Sequence, residues 1–316
     1  MDALSRLLQQ TQHLKETKYY CLSFSGDWAF SLTNSENIYF YLIQAGSFYI
    51  NIDEVSRQVH TGDIVMIPNS NKHVCHASNY HSHNARELDK TSLEKNKYPP
   101  HFVKGNNSNA QFNAQFILIE CQYDKDLLRP LLSALPAILP EHDDTHKNQF
   151  KALGWAVGFL TLESQDERLG KLAIINLWAS IIMVECLRTY IERLPERAEN
   201  WLRAMRDPYL SKTLAILHDS PDHKWTTHEL AEKVGMSRSS FTQRFKNIMG
   251  VPPLTYLTTY RLCLAARQLR LQHNSIGQIS ELVGYTSNST FSQAFKRVYG
   301  MSPKAYRERQ QAAISN

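Results

Sequence analysis

Polar side chains able to bond DNA bases gather at the starts of two short helical segments near the C-terminal end of the chain. They are Arg238, Ser239, Thr242, Gln243 and Lys246 in the first segment, and Asn288, Ser289, Ser292, Gln293, Lys296 and Arg297 in the second. Glutamine and asparagine can bond adenine through two atoms, which is worth about 1–3 kcal/mol of discrimination. Lysine and arginine further along a helix suit phosphate, and we expect this role for Lys246, Lys296 and Arg297. The chemistry that this pattern indicates is the reading of base edges in a DNA groove.

Each polar cluster belongs to a unit of two helices joined by a glycine turn. The two units read LAEKVGMSRSSFTQRFKNIMGVPP and ISELVGYTSNSTFSQAFKRVYGMSP. They share a Val-Gly turn, a hydroxyl-rich helix start, a Phe-x3-Phe pair, a basic residue and a Gly-x-x-Pro stop. In the second unit, helical spacing predicts Ile279 and Leu282 on the inner face of one helix, and Phe291, Phe295 and Val298 on that of the next. Two such units in succession predict a duplicated helix-turn-helix.

The segment between the units predicts a connecting helix from Leu254 to Leu271. Its apolar residues recur at steps of three and four, so we expect a rod that holds the units at a fixed separation. With this rod in place, the region from about Tyr209 to Arg309 resembles the DNA-binding domain of the AraC/XylS family of bacterial transcriptional regulators. The resemblance includes the pattern Arg261-x3-Ala265-x3-Leu269 and the tail GYTSNSTFSQAFKRVYGMSPKAYR.

The resemblance implies double-stranded DNA and RNA polymerase as partners, a homodimer, and activation as the usual mode of control. It also implies that certain of the polar residues contact bases. These are Ser239, Thr242, Gln243, Asn288, Ser289, Ser292 and Gln293. An architectural DNA binder, which would have no operator preference, is the contrasting interpretation of the same helices.

Charge and composition agree with a two-domain intracellular protein. The 316 residues carry a net charge of +5, but residues 209–310 hold 14 Lys and Arg against six Asp and Glu, so this region is +8 and the remainder −3. A basic module on a slightly acidic carrier suits phosphate neutralisation. Five cysteines without a C-x-x-C pair indicate a reduced cytoplasm. The chain shows no signal peptide, and its most apolar run, 172–184, is shorter than the roughly 20 residues of a membrane span.

The first 125 residues predict a β-rich domain. Strand patterns cover 18–32, with a break at Gly26-Asp27, and 37–52, with a turn at Gly46. Gly62-x5-Pro68-x4-His73 resembles the second motif of cupin barrels. The expected fold is therefore α+β: a cupin-like β-barrel at 1–125, a helical dimerisation segment at 126–207, and an all-α DNA-binding domain with two helix-turn-helix units at 208–310.

The ligand set of a metal-dependent cupin is absent from the sequence. At the strand where that family carries H-x-H, this chain has Tyr39-Phe40-Tyr41, and His73 by itself cannot hold a catalytic iron. The missing ligands argue against a cupin oxygenase, and no cofactor is expected. A cupin-type enzyme remains the contrasting class of function, and activity without added DNA would support it. The candidates for a different, soft-metal site are His73, Cys75 and His76. Residues 76–110 predict a polar loop inserted between strands, so these side chains could instead be solvated histidines near one another in sequence only.

Segments 126–135, 147–162 and 170–193 predict helices. The last is apolar over more than half its circumference, so it needs two partners. We expect these to be the barrel and a second subunit, although burial within its own chain would also satisfy the pattern.

Cys21 and Cys121 are candidates for redox sensing. The opening MDALSRLL is similar to a branch of the family that senses reactive chlorine by cysteine oxidation, and Cys21 matches a sensing position of that branch. Cys121 matches less closely. Oxidation of a thiolate to sulfenic acid or a disulfide would repack the strands that carry it. The alternatives are a small organic effector in the barrel, and a constitutive or metal-triggered mode with both cysteines as buried apolar residues.

Overall fold

The computed structural model describes residues 4–5, 14–33, 37–68, 72–77, 85–88, 90, 101–104, 112–123, 128, 131–132, 134–139, 158–159, 162–163, 169–195, 201–271 and 274–314. The chain forms two compact units. One comprises 13–123 and 135–190, and the other comprises 1–12, 124–134 and 191–316.

The first unit is built on a curled sheet of nine strands in its described residues. The strands are β1 (Leu14–Ser25), β2 (Ala29–Leu32), β3 (Asn37–Ile52), β4 (Val55–His60), β5 (Ile64–Ile67), β6 (His73–His76), β7 (Arg86–Glu87), β8 (His101–Lys104) and β9 (Phe112–Tyr123). Their order is β7-β2-β6-β3-β9-β1-β8, with β4 and β5 also paired to β3. Most neighbours are antiparallel, while β8 and β7 pair in parallel with β1 and β2. The cupin-like sheet expected from the sequence is confirmed.

Strand β3 corrects one expectation about this sheet. Gly46 was predicted to make a turn, but β3 is continuous through it. Gly46 has φ +79°, and the pairing with β9 shifts by one residue between Ile43 and Ala45. Such an irregularity bends a strand without ending it. Because of this bend, the first half of β3 pairs with β9 and β5, and the second half pairs with β4 and β6.

Aromatic side chains fill the concave face of the sheet. Phe24 stacks on Trp28 with ring centroids 4.2 Å apart, and Phe48 lies 4.7 Å from Phe116. Tyr41 packs against Phe116 at 5.7 Å. All of these side chains are buried, and apolar burial contributes about 25 cal/mol per Å2 to folding. The interior of the sheet is therefore a packed core over much of its volume.

The insertion after β6 contains more regular structure than a loop. The strands β7 and β8 both fall inside 76–110, the range predicted as a loop between strands. The pairing of β7 with β2 continues at Leu88, whose N–H donates to the carbonyl of Ser31 at 3.0 Å. The helices expected at 126–135 and 147–162 lie largely outside the described residues.

Helix α1 (Lys171–Arg193) confirms the long apolar helix of the central segment. In the part of the chain that the structure describes, it is the one helix whose length and composition would allow it to cross a membrane. It packs against the sheet, since Thr17 of β1 donates a 2.5 Å hydrogen bond to the side-chain oxygen of Asn176. Ile175, Ala179 and Ile182 are buried. The opposite side of α1 remains exposed.

The second unit is helical. After a short 3-10 helix (Trp201–Met205) come α2 (Pro208–Asp219), α3 (Thr227–Lys233), α4 (Arg238–Met249), α5 (Pro253–Leu271), α6 (Ile276–Leu282), α7 (Asn288–Tyr299) and α8 (Pro303–Ile314). Together with α1, these make eight α-helices whose ranges are described. The α+β fold class, with an all-α C-terminal region, is confirmed.

Two hydrophobic cores share the helix α5. Leu257, near its start, packs with Phe241 and Phe245 of α4. Leu262 and Leu269, further along, belong to a second core with α6 and α7. At 1.5 Å per residue, the 19 residues of α5 span about 28 Å. The helix is the predicted rod between two helix-turn-helix units.

The predicted inner faces hold with two exceptions. Phe291 and Phe295 of α7 and Ile279 of α6 are fully buried, as expected. Val298 and Leu282 were also expected inside, but they are 48% and 57% exposed. Both lie in the last turn of a short helix, where the chain turns away from the core at a glycine. Helical spacing alone does not show where the covering elements end.

Candidate functional site

Helix α4 presents its polar residues to solvent. Phe241 and Phe245 are buried, so the opposite face is turned outward. The first turn is fixed by Ser237, which caps the helix by accepting a hydrogen bond from the N–H of Ser240 at 3.3 Å. A recognition helix is capped at its start, buried on one face and exposed at the polar residues of its first turns, and α4 has all three features. The predicted residues Arg238, Ser239, Gln243 and Lys246 are exposed, and Thr242 is half-buried.

Helix α7 repeats this arrangement in the second helix-turn-helix unit. Ser287 caps it by accepting from the N–H of Thr290 at 3.4 Å, while Phe291 and Phe295 are buried. The predicted residues Asn288, Ser289, Gln293, Lys296 and Arg297 are exposed, and Ser292 is half-buried. Each helix therefore brings its predicted base-contacting and phosphate-contacting side chains to one exposed side.

Some polar side chains of α4 already have partners within the protein. Gln243 Nε2 donates to Asn247 Oδ1 at 2.7 Å, and Thr242 Oγ1 donates to the carbonyl of Arg238 at 2.8 Å. The bond to Asn247 has to break before the Gln243 amide can pair with a base through two atoms. This exchange reduces the net gain from that contact.

Arg244 orients α4 and was not singled out by the sequence pattern. Its Nη2 atom lies 2.6 Å from Oδ2 of Asp207, and its guanidinium lies 5.2 Å from the centroid of Tyr209. Asp207 also caps α2 by accepting from the N–H groups of Tyr209 and Leu210, both at 3.0 Å. The pair ties the recognition helix to the start of α2. No local motif marks it, since the two residues are 37 positions apart.

A basic cavity adjoins this ion pair. It has a volume of about 470 Å3, and its lining includes Arg203 and Arg206 together with Asp207, Arg244 and Asn247. Asp207 neutralises Arg244 and Arg206 donates to the carbonyl of Leu194 at 2.6 Å, but three arginines against one aspartate leave the surface positively charged, which suits an anion such as a backbone phosphate. Arg203 and Arg206 are not predicted by the sequence pattern, because they precede the region of family resemblance.

The loop between α2 and α3 connects the two helix-turn-helix units. Arg261, midway along α5, donates to the carbonyls of Pro221 and His223 at 2.6 and 2.8 Å. Gly284, in the turn of the second helix-turn-helix unit, lies close to the backbone of Asp222. A Cβ atom added to Gly284 would lie 2.5 Å from the carbonyl oxygen of Asp222. The loop at 221–223 is thus held between the rod and the second turn, which fixes the two units relative to each other.

The metal candidates in the barrel divide between two faces of β6. His73 and Cys75 point into the concave face, where Tyr41 Oη lies 2.6 Å from His73 Nε2 and 3.5 Å from Cys75 Sγ. His76 lies on the other face and stacks on Tyr49 at 5.4 Å. Burial raises the pKa of the Cys75 thiol to about 12, so it stays protonated. Among the residues described, no three His, Cys, Asp or Glu side chains come together as a metal site.

The redox candidates lie on neighbouring strands but out of register. Cys21 of β1 pairs with Ile117, whereas Cys121 of β9 pairs with Thr17. The offset of four residues corresponds to about 13 Å along the strand, far beyond the roughly 3.5–4.5 Å between Cβ atoms of a disulfide. Burial raises the pKa of the Cys121 thiol to about 12. A direct bond between the two cysteines would require the strands to change register.

Two polar-tipped helices, each in a helix-turn-helix unit and both seated on one connecting helix, define a DNA-binding protein. Comparison with known proteins agrees. Residues 230–309 match the model of a helix-turn-helix domain, and residues 2–192 match the model of a cupin.

Curated relatives give the same result. The chain is 31% identical to the HTH-type transcriptional regulator AlkR of Acinetobacter baylyi, over 98% of this chain and 100% of that protein. It is 33% identical to the RCS-specific HTH-type transcriptional activator RclR of Escherichia coli, over 57% of this chain and 63% of that protein. The DNA-binding domain of AdpA, solved with a target DNA, is 29% identical over 34% of this chain and 95% of that one, with a TM-score of 0.33. The chain belongs to the AraC family of helix-turn-helix transcriptional regulators, with a cupin domain in its N-terminal part.

Proposed function

We propose that this protein is a homodimeric, cytoplasmic regulator that binds a specific operator through α4 and α7 and controls transcription in response to a signal at its cupin domain. One observation carries the proposal: α4 and α7 each expose a polar face and bury a pair of Phe residues on the opposite face. Both helices pack on α5, the rod between them. Activation through contact with RNA polymerase is the mode that the family resemblance favours.

Base contacts and phosphate contacts should respond differently to mutation. Replacing Gln243 or Gln293 with alanine is expected to cost about 1–3 kcal/mol on the preferred operator and little on random DNA, because each glutamine reads one base. Replacing Lys296 with alanine should weaken binding to both DNAs and lower the salt slope by about one. Fluorescence anisotropy with operator and random duplexes at several salt concentrations measures both effects. An equal loss on both DNAs for all three variants would contradict the assignment.

The dimer proposal is supported by the exposed side of α1. Ile174, Leu177, Ile181 and Val184 recur at steps of three, four and three, which is the spacing of a coiled-coil seam. The first three are 39%, 64% and 46% exposed. A second copy of the chain would present the same apolar seam, so the seams of two copies could cover each other.

Two kinds of signal are compatible with the cupin domain. One is a small organic molecule bound in the barrel. The other is oxidation of Cys21 or Cys121, which the name of the relative RclR supports by analogy. The strand register favours separate oxidation of each thiol over a bond between them.

The oxidation hypothesis makes a prediction about each cysteine. If hypochlorite acts through a thiol, Cys21→Ser is expected to abolish reporter induction. Cys121→Ser should have a smaller effect, because the Cys121 side chain is 0% exposed against 8% for Cys21 and burial raises the pKa of its thiol to about 12. Cys263→Ser, at a buried cysteine of the DNA-binding region, is the matched control and should respond like the natural protein. Peptide mapping after brief oxidation should find no Cys21–Cys121 linkage. Full induction in the Cys21→Ser, Cys121→Ser double variant would exclude oxidation at these residues.

A further inference from the structure

One end of the barrel interior contains a buried carboxylate. Glu120 of β9 is 5% exposed and belongs to the same concave face as Phe116 and Leu118. Its Oε1 atom accepts hydrogen bonds from Asn37 Nδ2 and, at 3.3 Å, from the phenol of Tyr39. Burial, and secondly the charge of Glu120, raise the pKa of the Tyr39 phenol, so it remains a neutral donor. These neutral donors leave the carboxylate without a compensating charge of their own.

The compensating charge comes from a segment of the insertion. We call residues 85–88 and 90 the strap. Leu88 of the strap packs against the barrel core, and Lys90 reaches inward so that its Nζ lies 2.7 Å from Oε1 of Glu120. The same ammonium lies 5.5 Å from the centroid of the Tyr39 ring. The backbone N–H of Lys90 donates to the carbonyl of Leu88 at 2.9 Å.

The surroundings of this ammonium offer mostly acceptors. Asn37 is 2% exposed, and its Oδ1 atom is buried without a hydrogen-bond partner. A carboxylate, an unsatisfied amide oxygen and an aromatic face together suit a cation that carries several N–H groups. An anion would meet Glu120 at close range and be repelled. The unsatisfied oxygen shows that Lys90 does not use the whole hydrogen-bonding capacity of the site.

We propose that Asn37, Tyr39 and Glu120 form a recognition site for a small organic ammonium ion, and that Lys90 of the strap occupies this site until such an effector displaces it. The proposal specifies the signal class for the sensing role proposed above and rests on that role. Displacement would remove the charged link between the strap and the barrel interior, while the pairing of β7 with β2 would remain. The lysine side chain is itself a butylammonium group, so n-butylammonium is the natural probe.

Chemical rescue of the full-length chain tests the site. Lys90→Ala leaves Glu120 buried and unpaired, so we expect a lower melting temperature than that of the natural protein. Adding n-butylammonium should raise it by at least about 3 °C. n-Butanol and n-butyrate, which match the probe in size, should not raise it. In Lys90→Ala, Glu120→Gln the response to n-butylammonium should be lost, while the basal melting temperature recovers at least in part.

The outcomes are separable from those for DNA binding, because melting of the barrel involves no operator. If Lys90→Ala does not fold, expression in n-butylammonium should restore soluble protein, and the double variant should fold without it. Equal stabilisation by n-butanol, or a response that persists without Glu120, would overturn the proposal. So would a folded Lys90→Ala variant that n-butylammonium leaves unchanged. For the natural protein we expect organic ammonium ions, and not matched alcohols, to alter operator affinity.

Discussion

Replacing Gly284 with alanine is expected to destabilise the second helix-turn-helix unit by about 2–5 kcal/mol and to abolish specific DNA binding. Gly284 has φ +82°, which strains any residue with a Cβ. The added Cβ would also lie 2.5 Å from the carbonyl oxygen of Asp222, a backbone atom that cannot rotate away. Arg261 of α5 also binds the 221–223 loop, so a shift of the loop away from the added Cβ would disturb α5 as well. Thermal unfolding and operator affinity measure the two effects.

Gly235 provides the matched control. It occupies the equivalent turn of the first unit with φ +71°, but an added Cβ would meet nothing within 4 Å. Gly235→Ala should therefore incur only the backbone strain, about 1–3 kcal/mol. If both variants lose the same stability, the approach of Gly284 to Asp222 does not couple the two units.

The second large effect is expected at the exposed seam of α1. If two copies associate there, the double variant Leu177→Asp, Ile181→Asp should be a monomer. Association would bury four aspartate charges, two from each copy, in an apolar interface without counter-ions. Affinity for an operator with two half-sites should fall at least about tenfold, since the second subunit then binds independently. Sedimentation and anisotropy on one-site and two-site duplexes measure both quantities.

Leu177→Met, Ile181→Met is the control for this pair. Methionine keeps the apolar area and tolerates altered shape, so the dimer should persist. Affinity for a single half-site should be unchanged in both variants, because the recognition helices are untouched. A dimer that survives both aspartates would place the subunit interface elsewhere.

Local patterns in the sequence were sufficient to predict the DNA-binding helices. The caps Ser237 and Ser287 and the buried Phe pairs are separated by only a few residues, so spacing alone defines their helices and faces. Val298 lies in the last turn of α7, just before Gly300, and is 48% exposed, which helical spacing by itself does not show. The sequence also could not reveal the pair of Asp207 with Arg244, which unites residues from different helices.

The barrel was predicted in outline but not in its chemistry. Alternation of apolar residues identified β1 and β3, and the motif Gly62-x5-Pro68-x4-His73 indicated a cupin-like fold. Glu120 lies within a strand otherwise rich in apolar residues, and its partners Asn37 and Lys90 come from distant parts of the chain. Strand register, which depends on the irregularity near Gly46, decides which side chains meet inside. For the same reason Cys21 and Cys121 could not be judged as a pair before the register was known.

The sharing of α5 by two cores has a consequence for how operators of this protein can evolve. Inserting one residue into α5 would turn everything beyond it by about 100° and advance it by about 1.5 Å. If α4 and α7 read bases as proposed, the distance between those bases cannot drift by small steps. Promoters would then have to conform to a spacing that is set by the length of one helix, and selection could adjust base identity far more readily than base separation.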